Sequence, residues 1–247
     1  MADEFTVDTL LRGRITLLQP VRGFRSSLDP VLLAAFAQLP TGRFLDIGCG
    51  TGALAFLLAA ADPHATGVGV EIQARLASLA TAGLARNTFV DRVEILHGDI
   101  RSVAGQPPLA RSSFDLVATN PPYRVLSAGL PSPDPERAQA NHEVSLTLDE
   151  CLDAASSLVS PSGRVVMVYP AERLQDLLAG MQRRRLTPTR LRLVRPREDR
   201  PASRVLVEAR VGADPAALVH ELPLVLHEGT TGGYTSEVMG MLGEHPP

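Results

Sequence analysis

Lysine and tryptophan are both absent from the 247 residues, so all 24 basic side chains are arginine. Aromatics make up only 4% of the chain, which leaves the core to aliphatic side chains. Cysteine occurs twice, at Cys49 and Cys151, far apart and with no CxxC spacing. That excludes a disulfide framework or a zinc ribbon and makes a reducing cytoplasm the expected compartment. The six histidines are scattered and form no HExxH pair, so no metal is expected. No apolar run reaches the length of a membrane span, and the acidic opening Ala2-Asp3-Glu4 is wrong for a secretory signal.

The length suits one large domain, or one domain with appendages. A net charge of −3 does not by itself mark a nucleic-acid binder. Its distribution is more informative. Between Arg183 and Arg210 lie ten arginines against three acids, Glu198, Asp199 and Glu208. Two readings stand side by side: a solvated face in an arginine-biased chain, or a face that contacts phosphates.

From residue 43 onward, short β-like runs alternate with helical stretches. Strands are expected at 43–47, 66–70, 92–96, 114–119 and 164–169, and helices at 52–61, 72–87, 148–160 and 171–184. Thr147 and Glu150 have capping-box spacing, and Leu148, Cys151, Leu152, Ala155, Leu158 and Val159 form one apolar stripe behind them. Upstream, 14–19 reads as a short strand, and Asp29 followed by Pro30 reads as a helix start with Asp29 as the cap. The runs 189–195 and 203–210 flank a proline-containing turn and are expected to pair as a hairpin. The stretch 127–141, rich in Pro, Ser and Ala, reads as a long loop. Such alternation implies a mainly parallel sheet with helices on both faces.

The first strand hands over to a helix through Asp46-Ile47-Gly48-Cys49-Gly50-Thr51-Gly52. In a doubly wound sheet this turn faces the ligand crevice, and its glycines let backbone approach a ligand closely. Glu71 closes the second strand, where a carboxylate can accept two ribose hydroxyls. Asp99, just past the third, is placed to accept from an adenine amino group. The loop alone is ambiguous, because Gly48, Gly50 and Ala53 also satisfy the dinucleotide pattern G-x-G-x-x-A and Glu71 suits an NAD ribose equally. The full set resembles the S-adenosylmethionine site of class I methyltransferases, whose fold adds an antiparallel final strand.

Asn120-Pro121-Pro122-Tyr123 follows the fourth strand. An exocyclic amino group on a base is a poor nucleophile, because its lone pair is delocalised into the ring. Two carbonyls that accept both of its N–H bonds favour a more pyramidal, reactive nitrogen. The Asn120 side chain and the Pro121 carbonyl can form that pair, and Tyr123 offers a face for the planar target. The motif resembles that of amino-methyltransferases acting on adenine, guanine or a glutamine amide. It gives the reaction and leaves the acceptor open.

Further segments narrow the field: Asp8-Thr9-Leu10-Leu11, Gly23-Phe24-Arg25, Ser27-Leu28-Asp29, Leu32-Leu33-Ala34-Ala35-Phe36, His142-Glu143 and Tyr234-Thr235. With them the chain resembles the bacterial tRNA (adenine-N6) methyltransferases that modify valine tRNA beside the anticodon. The resemblance implies a Rossmann-like class I α/β fold: a mainly parallel seven-stranded sheet, an antiparallel C-terminal hairpin and helices on both faces. It implies S-adenosylmethionine at Asp29, Asp46, Gly48, Cys49, Gly50, Gly52, Glu71, Ile72, Asp99, Ile100 and Asn120, and a catalytic role for Asn120, Pro121, Pro122 and Tyr123. RNA is the implied partner, held through the arginine-rich region. An acceptor on a protein glutamine or in ribosomal RNA is the alternative. The expected division is an N-terminal extension over 1–40, a catalytic domain over 41–212 and a C-terminal tail over 213–247. Arg124, which follows the motif, and the missing lysines depart from the family pattern.

Overall fold

The expected alternation of strands and helices is realised as one twisted sheet with helices on both faces. The computed structural model describes residues 4–38, 42–121, 146–229 and 232–244. Its long strands are β3 (Arg43–Ile47), β4 (Thr66–Glu71), β5 (Val93–His97), β6 (Phe114–Thr119), β7 (Val159–Pro170), β8 (Leu186–Arg195) and β9 (Arg204–Val211). Two short strands, β10 (Val219–His220) and β11 (Leu224–Val225), both pair with β8. The sheet order is β10-β8-β9-β7-β6-β3-β4-β5, and among the described strands only β9 runs antiparallel to its neighbours. The hairpin read from the sequence is β8–β9, and it places β9 between β8 and β7.

The sheet is central because its strands are apolar on both sides. Phe44, Leu116, Ala118, Val166, Val168 and Leu206 face one way, toward α1 (Asp29–Ala37) and α2 (Ala53–Ala61). Their neighbours Leu45, Val117, Val165, Met167, Val205 and Val207 face the other way, toward α5 (Leu148–Leu158) and α6 (Leu174–Arg183). This period-two alternation with both sets buried is what a sheet covered on both faces requires. A helix, α3 (Ala74–Arg86), joins β4 to β5, and a single turn, α4 (Ile100–Val103), follows β5. The capping box on α5 forms as expected: Thr147 Oγ1 accepts the Glu150 N–H, and the Glu150 carboxylate accepts the Thr147 N–H at 2.9 Å.

The N-terminal strand has a partner that the sequence did not reveal. β1 (Phe5–Leu10) pairs antiparallel with β2 (Ile15–Pro20) in a separate two-stranded sheet. The Asn87 side chain clasps β2 from the end of α3, accepting the Thr16 N–H and donating to the Thr16 carbonyl, both at 2.7 Å. Beyond Val211 the chain stays with the sheet through β10 and β11, and α7 (Ser236–Met241) then packs near α1.

One local expectation needs correction. Asp29 does not cap α1. The N-cap is Leu28, with no side-chain cap, and Asp29 is the first helical residue. Its carboxylate instead turns across to β9, where it meets Arg204 Nε at 3.4 Å. The guanidinium is a stronger partner than a neutral helix N–H, so the charge is drawn out of the capping position. Among the described residues no helix is long and apolar enough to cross a membrane.

Candidate active site

From β3 the chain winds outward through β4 and β5, then returns to the other side of β3 with β6. The carboxyl ends of β3 and β6 therefore flank the switch point where open α/β sheets bind ligands. The residues singled out in the sequence fall along this edge in sheet order: Asn120 after β6, the glycine loop after β3, Glu71 at the end of β4, and Asp99 past β5. Adjacent strands lie about 4.8 Å apart, so the whole row fits within the length of one nucleoside-bearing ligand.

The loop is tied to its neighbour by backbone. The Gly48 and Cys49 N–H groups both donate to the Val70 carbonyl, at 2.9 and 3.0 Å. Gly50 has φ +57°, and a Cβ there would lie 2.9 Å from the Phe24 ring. Glycine is thus required on two counts, conformation and space. Phe24, half exposed, sits over the loop from the segment before α1. That segment is held by Gln19, which accepts the Ser26 N–H, and by an ion pair between Arg25 and Asp8.

Two acids are buried beside the loop. Asp46 accepts the Ala55 N–H at 3.1 Å, so its carboxyl braces the first turn of α2. Burial, and to a lesser degree the nearby Glu71 charge, raise its pKa to about 8. One Glu71 oxygen accepts the Gly50 N–H and the other the Gln73 N–H, both at 2.8 Å. Burial raises this carboxyl too, against those hydrogen bonds. Each oxygen has a second lone pair, so Glu71 can hold the loop and still accept from a ligand.

Asp99 is occupied locally. It caps α4 by accepting the Arg101 N–H at 2.9 Å, and its carboxylate also binds the Arg101 guanidinium. That hydrogen bond keeps its pKa below the ordinary carboxylate range. Arg101 continues to Glu150 at 3.1 Å, which ties this end of the row to α5. Ile100 is buried below Asp99, and Ile72 is half-buried beside Glu71.

Thr119 sets the position of Asn120. Its hydroxyl donates to the Ile47 carbonyl at 2.9 Å and lies 3.6 Å from Cys151 Sγ, so the ends of β6 and β3 are locked together. Asn120 follows, half-buried, with Pro121 buried behind it. Pro122, Tyr123, Arg124, His142, Glu143 and the loop expected at 127–141 lie outside the described residues.

Two features speak for a ligand over the loop. Among the described residues Thr51 Oγ1 is buried with no hydrogen-bond partner, and a Cβ built on Gly48 would meet nothing within 4 Å. A buried hydroxyl without a partner is costly, and one facing a polar ligand is satisfied when that ligand is present. The sequence names Thr51 and Phe24 as members of their motifs but gives neither a role. Thr51 was legible as the polar residue inside the glycine run, whereas the contact of Phe24 with Gly50 joins segments 26 residues apart.

The arginine-rich region is largely internally neutralised. Arg184 binds Asp149 and Asp153, Arg190 binds Glu208 and Glu221, and Arg192 binds Glu237. Arg183, Arg204 and Arg210 meet Asp149, Asp29 and Glu208 in turn. Six of the ten arginines of 183–210 thus meet an acid within 3.4 Å.

A family profile described as a methyltransferase domain matches residues 40–190. A predicted O-methyltransferase from Agrobacterium tumefaciens superposes with a TM-score of 0.70 at 23% identity, covering 87% of this chain and 96% of its own. The TYW2 protein of P. horikoshii, solved in complex with MeSAdo, gives 0.60 at 14% identity, covering 86% and 73%. At these identities the two structures speak to the fold. The sheet order, the glycine loop at the switch point and the matched domain define an S-adenosylmethionine-dependent methyltransferase of the Rossmann-like class.

Relatives fix the branch. The tRNA1(Val) (adenine(37)-N6)-methyltransferase of Porphyromonas gingivalis is 37% identical over 222 residues, covering 86% of this chain and 85% of the relative. That of Dickeya chrysanthemi is 35% identical over 188 residues, covering 75% and 72%. The chain belongs to the tRNA1(Val) (adenine(37)-N6)-methyltransferase family.

Proposed function

We propose that this chain transfers a methyl group to the exocyclic N6 of an adenine in tRNA, the adenine beside the anticodon of valine tRNA. The observation that carries the reading is that Asn120-Pro121 follows the strand next to the glycine loop, in a chain of this family. Acceptor and donor sites are then neighbours on one edge. Bound over the loop, S-adenosylmethionine supplies an electrophilic sulfonium methyl.

The chain's own residues position and polarise. Gly48, Cys49, Gly50 and Gly52 present backbone to the donor, and Thr51 gives it a hydroxyl. Glu71 accepts from ribose hydroxyls, Ile72 and Ile100 flank the donor adenine, and Asp99 faces that adenine's amino group. Asp29 lies toward the methionine end, and Asp46 holds the loop against α2. The Asn120 side-chain oxygen and the Pro121 carbonyl accept the two N6–H bonds, and Pro122 and Tyr123 complete the motif, Tyr123 offering its ring to the base. The target base has to leave its stack, or lie unpaired in a loop, to reach them. One N6 proton is lost to water as the new C–N bond forms. Arginines of the 183–210 region that are not committed to acids hold the RNA backbone, and the reaction takes place in the cytoplasm.

The test is incubation with labelled S-adenosylmethionine and unmodified valine tRNA, followed by digestion to nucleosides. Label in N6-methyladenosine, mapped beside the anticodon, is the expected outcome. Label in guanosine, or in a protein fraction and not in RNA, would refute the assignment of the acceptor.

A further inference from the structure

β8 runs parallel to β3 and β6, so the β8–β9 turn leaves the sheet on the same edge as the glycine loop. Beside this turn opens a cavity of about 570 Å3 lined by Glu172, Arg197, Arg200, Ser203 and His227, among others. Glu172 arrives from the end of β7. His227 arrives from β11, which is parallel to β8, so both come from that same edge. The cavity belongs to the active-site side of the molecule but stands apart from the donor loop. From β6 to β8 is three strand spacings, roughly 14 Å.

Its chemistry differs from that of the surrounding surface. Most arginines of this region are bound to carboxylates, but Arg197 makes no ion pair among the described residues. Arg200 has only a 3.9 Å contact with Asp199, and its side chain is 64% exposed. Two guanidiniums are thus available together at one turn. The His227 ring stacks on Tyr234 at 4.9 Å with the planes 22° apart, and Tyr234 is exposed. Glu172, exposed and without an ion pair among the described residues, adds an acceptor to the lining. Forked donors for a phosphate, an aromatic pair for a base and a carboxylate for exocyclic N–H groups are the elements by which proteins hold one unpaired nucleotide. A pocket for a small anion alone would need neither the stacked rings nor the carboxylate.

We propose that this cavity holds a nucleotide of the RNA one or two positions from the target adenine, its phosphate on Arg197 and Arg200 and its base against the His227–Tyr234 stack. The proposal rests on the reading of the substrate as RNA. It makes recognition local: the charge that reads the backbone is concentrated at one turn.

The test is the double variant Arg197→Ala/Arg200→Ala, assayed on an unmodified valine tRNA transcript across a salt series. The expected KM for RNA rises about tenfold, and the dependence of log KM on log salt becomes shallower by about one. The kcat at saturating RNA and the calorimetric affinity for S-adenosylmethionine stay at wild-type values. Arg197→Lys/Arg200→Lys recovers most of the salt dependence, because the charge is kept. A wild type that methylates tRNA beside a double variant with unchanged KM and salt slope overturns the cavity assignment alone. A wild type that methylates no tRNA overturns the RNA reading and this proposal together.

Discussion

Replacing Asp46 with asparagine changes one buried atom and should change how stability depends on pH. In the folded chain the Asp46 carboxyl is buried, braced by the Ala55 N–H, and its pKa stands at about 8 against an ordinary 3.8. Unfolding returns it to water and to its ordinary value. Between about pH 4 and pH 8 the folded chain therefore keeps a proton that the unfolded chain releases. The stabilisation is fully present below about pH 4 and is lost as pH rises through about 8. The slope over that interval is about −1.4 kcal/mol per pH unit. The amide introduced by Asp46→Asn is isosteric, accepts the same N–H and never ionises, so it removes this slope and leaves the rest in place. Glu71, also raised, contributes equally to both chains to a first approximation. Asp99 and Glu150, held low by hydrogen bonds, act at more acid pH in both. Urea unfolding of wild type and Asp46→Asn at several pH values between about 5 and 8 measures the difference directly. The variant should gain on wild type by about 1.4 kcal/mol for each unit of pH from about 5 to 7, and by less as pH approaches 8. A difference that stays constant across the series would show that the folded Asp46 is ionised throughout and that the burial argument is wrong.

Other outcomes follow from the same geometry. Asn120→Ala should keep its affinity for S-adenosylmethionine and lose methyl transfer by roughly a hundredfold or more, the scale of one preorganised polar group; near-normal single-turnover rates would rule out the proposed role. Gly50→Ala puts a Cβ against Phe24 at positive φ and should weaken donor binding about tenfold in calorimetry, with part of the loss recovered when Phe24→Ala is added. No recovery would locate the strain in the backbone alone. Thr147→Ala removes half of the α5 capping box, costing about 1 kcal/mol and a few degrees of melting temperature, with catalysis at about 25 °C unchanged.

The sheet was readable because its strands are short apolar runs ended by turn residues: 43–47 and 114–119 match the observed strands in full. The α5 cap was readable because Thr147 and Glu150 interact within one turn. β1 was not, since its residues alternate between exposed and half-buried, and Phe5 and Val7 point to solvent. β10 and β11 span two residues each, too few for any periodicity. The candidate site was legible as a row of strand ends, because each member closes a recognisable strand. What each side chain does there was not. Asp29 is drawn away by Arg204, which lies 175 residues on, and Asp99 is held by Arg101. The ion pairs of the arginine run were not legible either, because apart from Glu208 and Asp199 its acids come from α5, the C-terminal stretch and α1. Composition counts charges along the chain, and the fold pairs them across it.

The placement of β9 bears on how the chain is made. β7 is built from Val165, Val166, Met167 and Val168, all fully buried, and one side of it is covered by a strand that begins 34 residues after β7 ends. On the ribosome, β3 to β7 can assemble while that flank still waits, bare, for residues not yet translated. An uncovered apolar edge invites pairing with other chains. The β8–β9 hairpin is therefore the piece whose late arrival ends the nascent protein's period of greatest exposure.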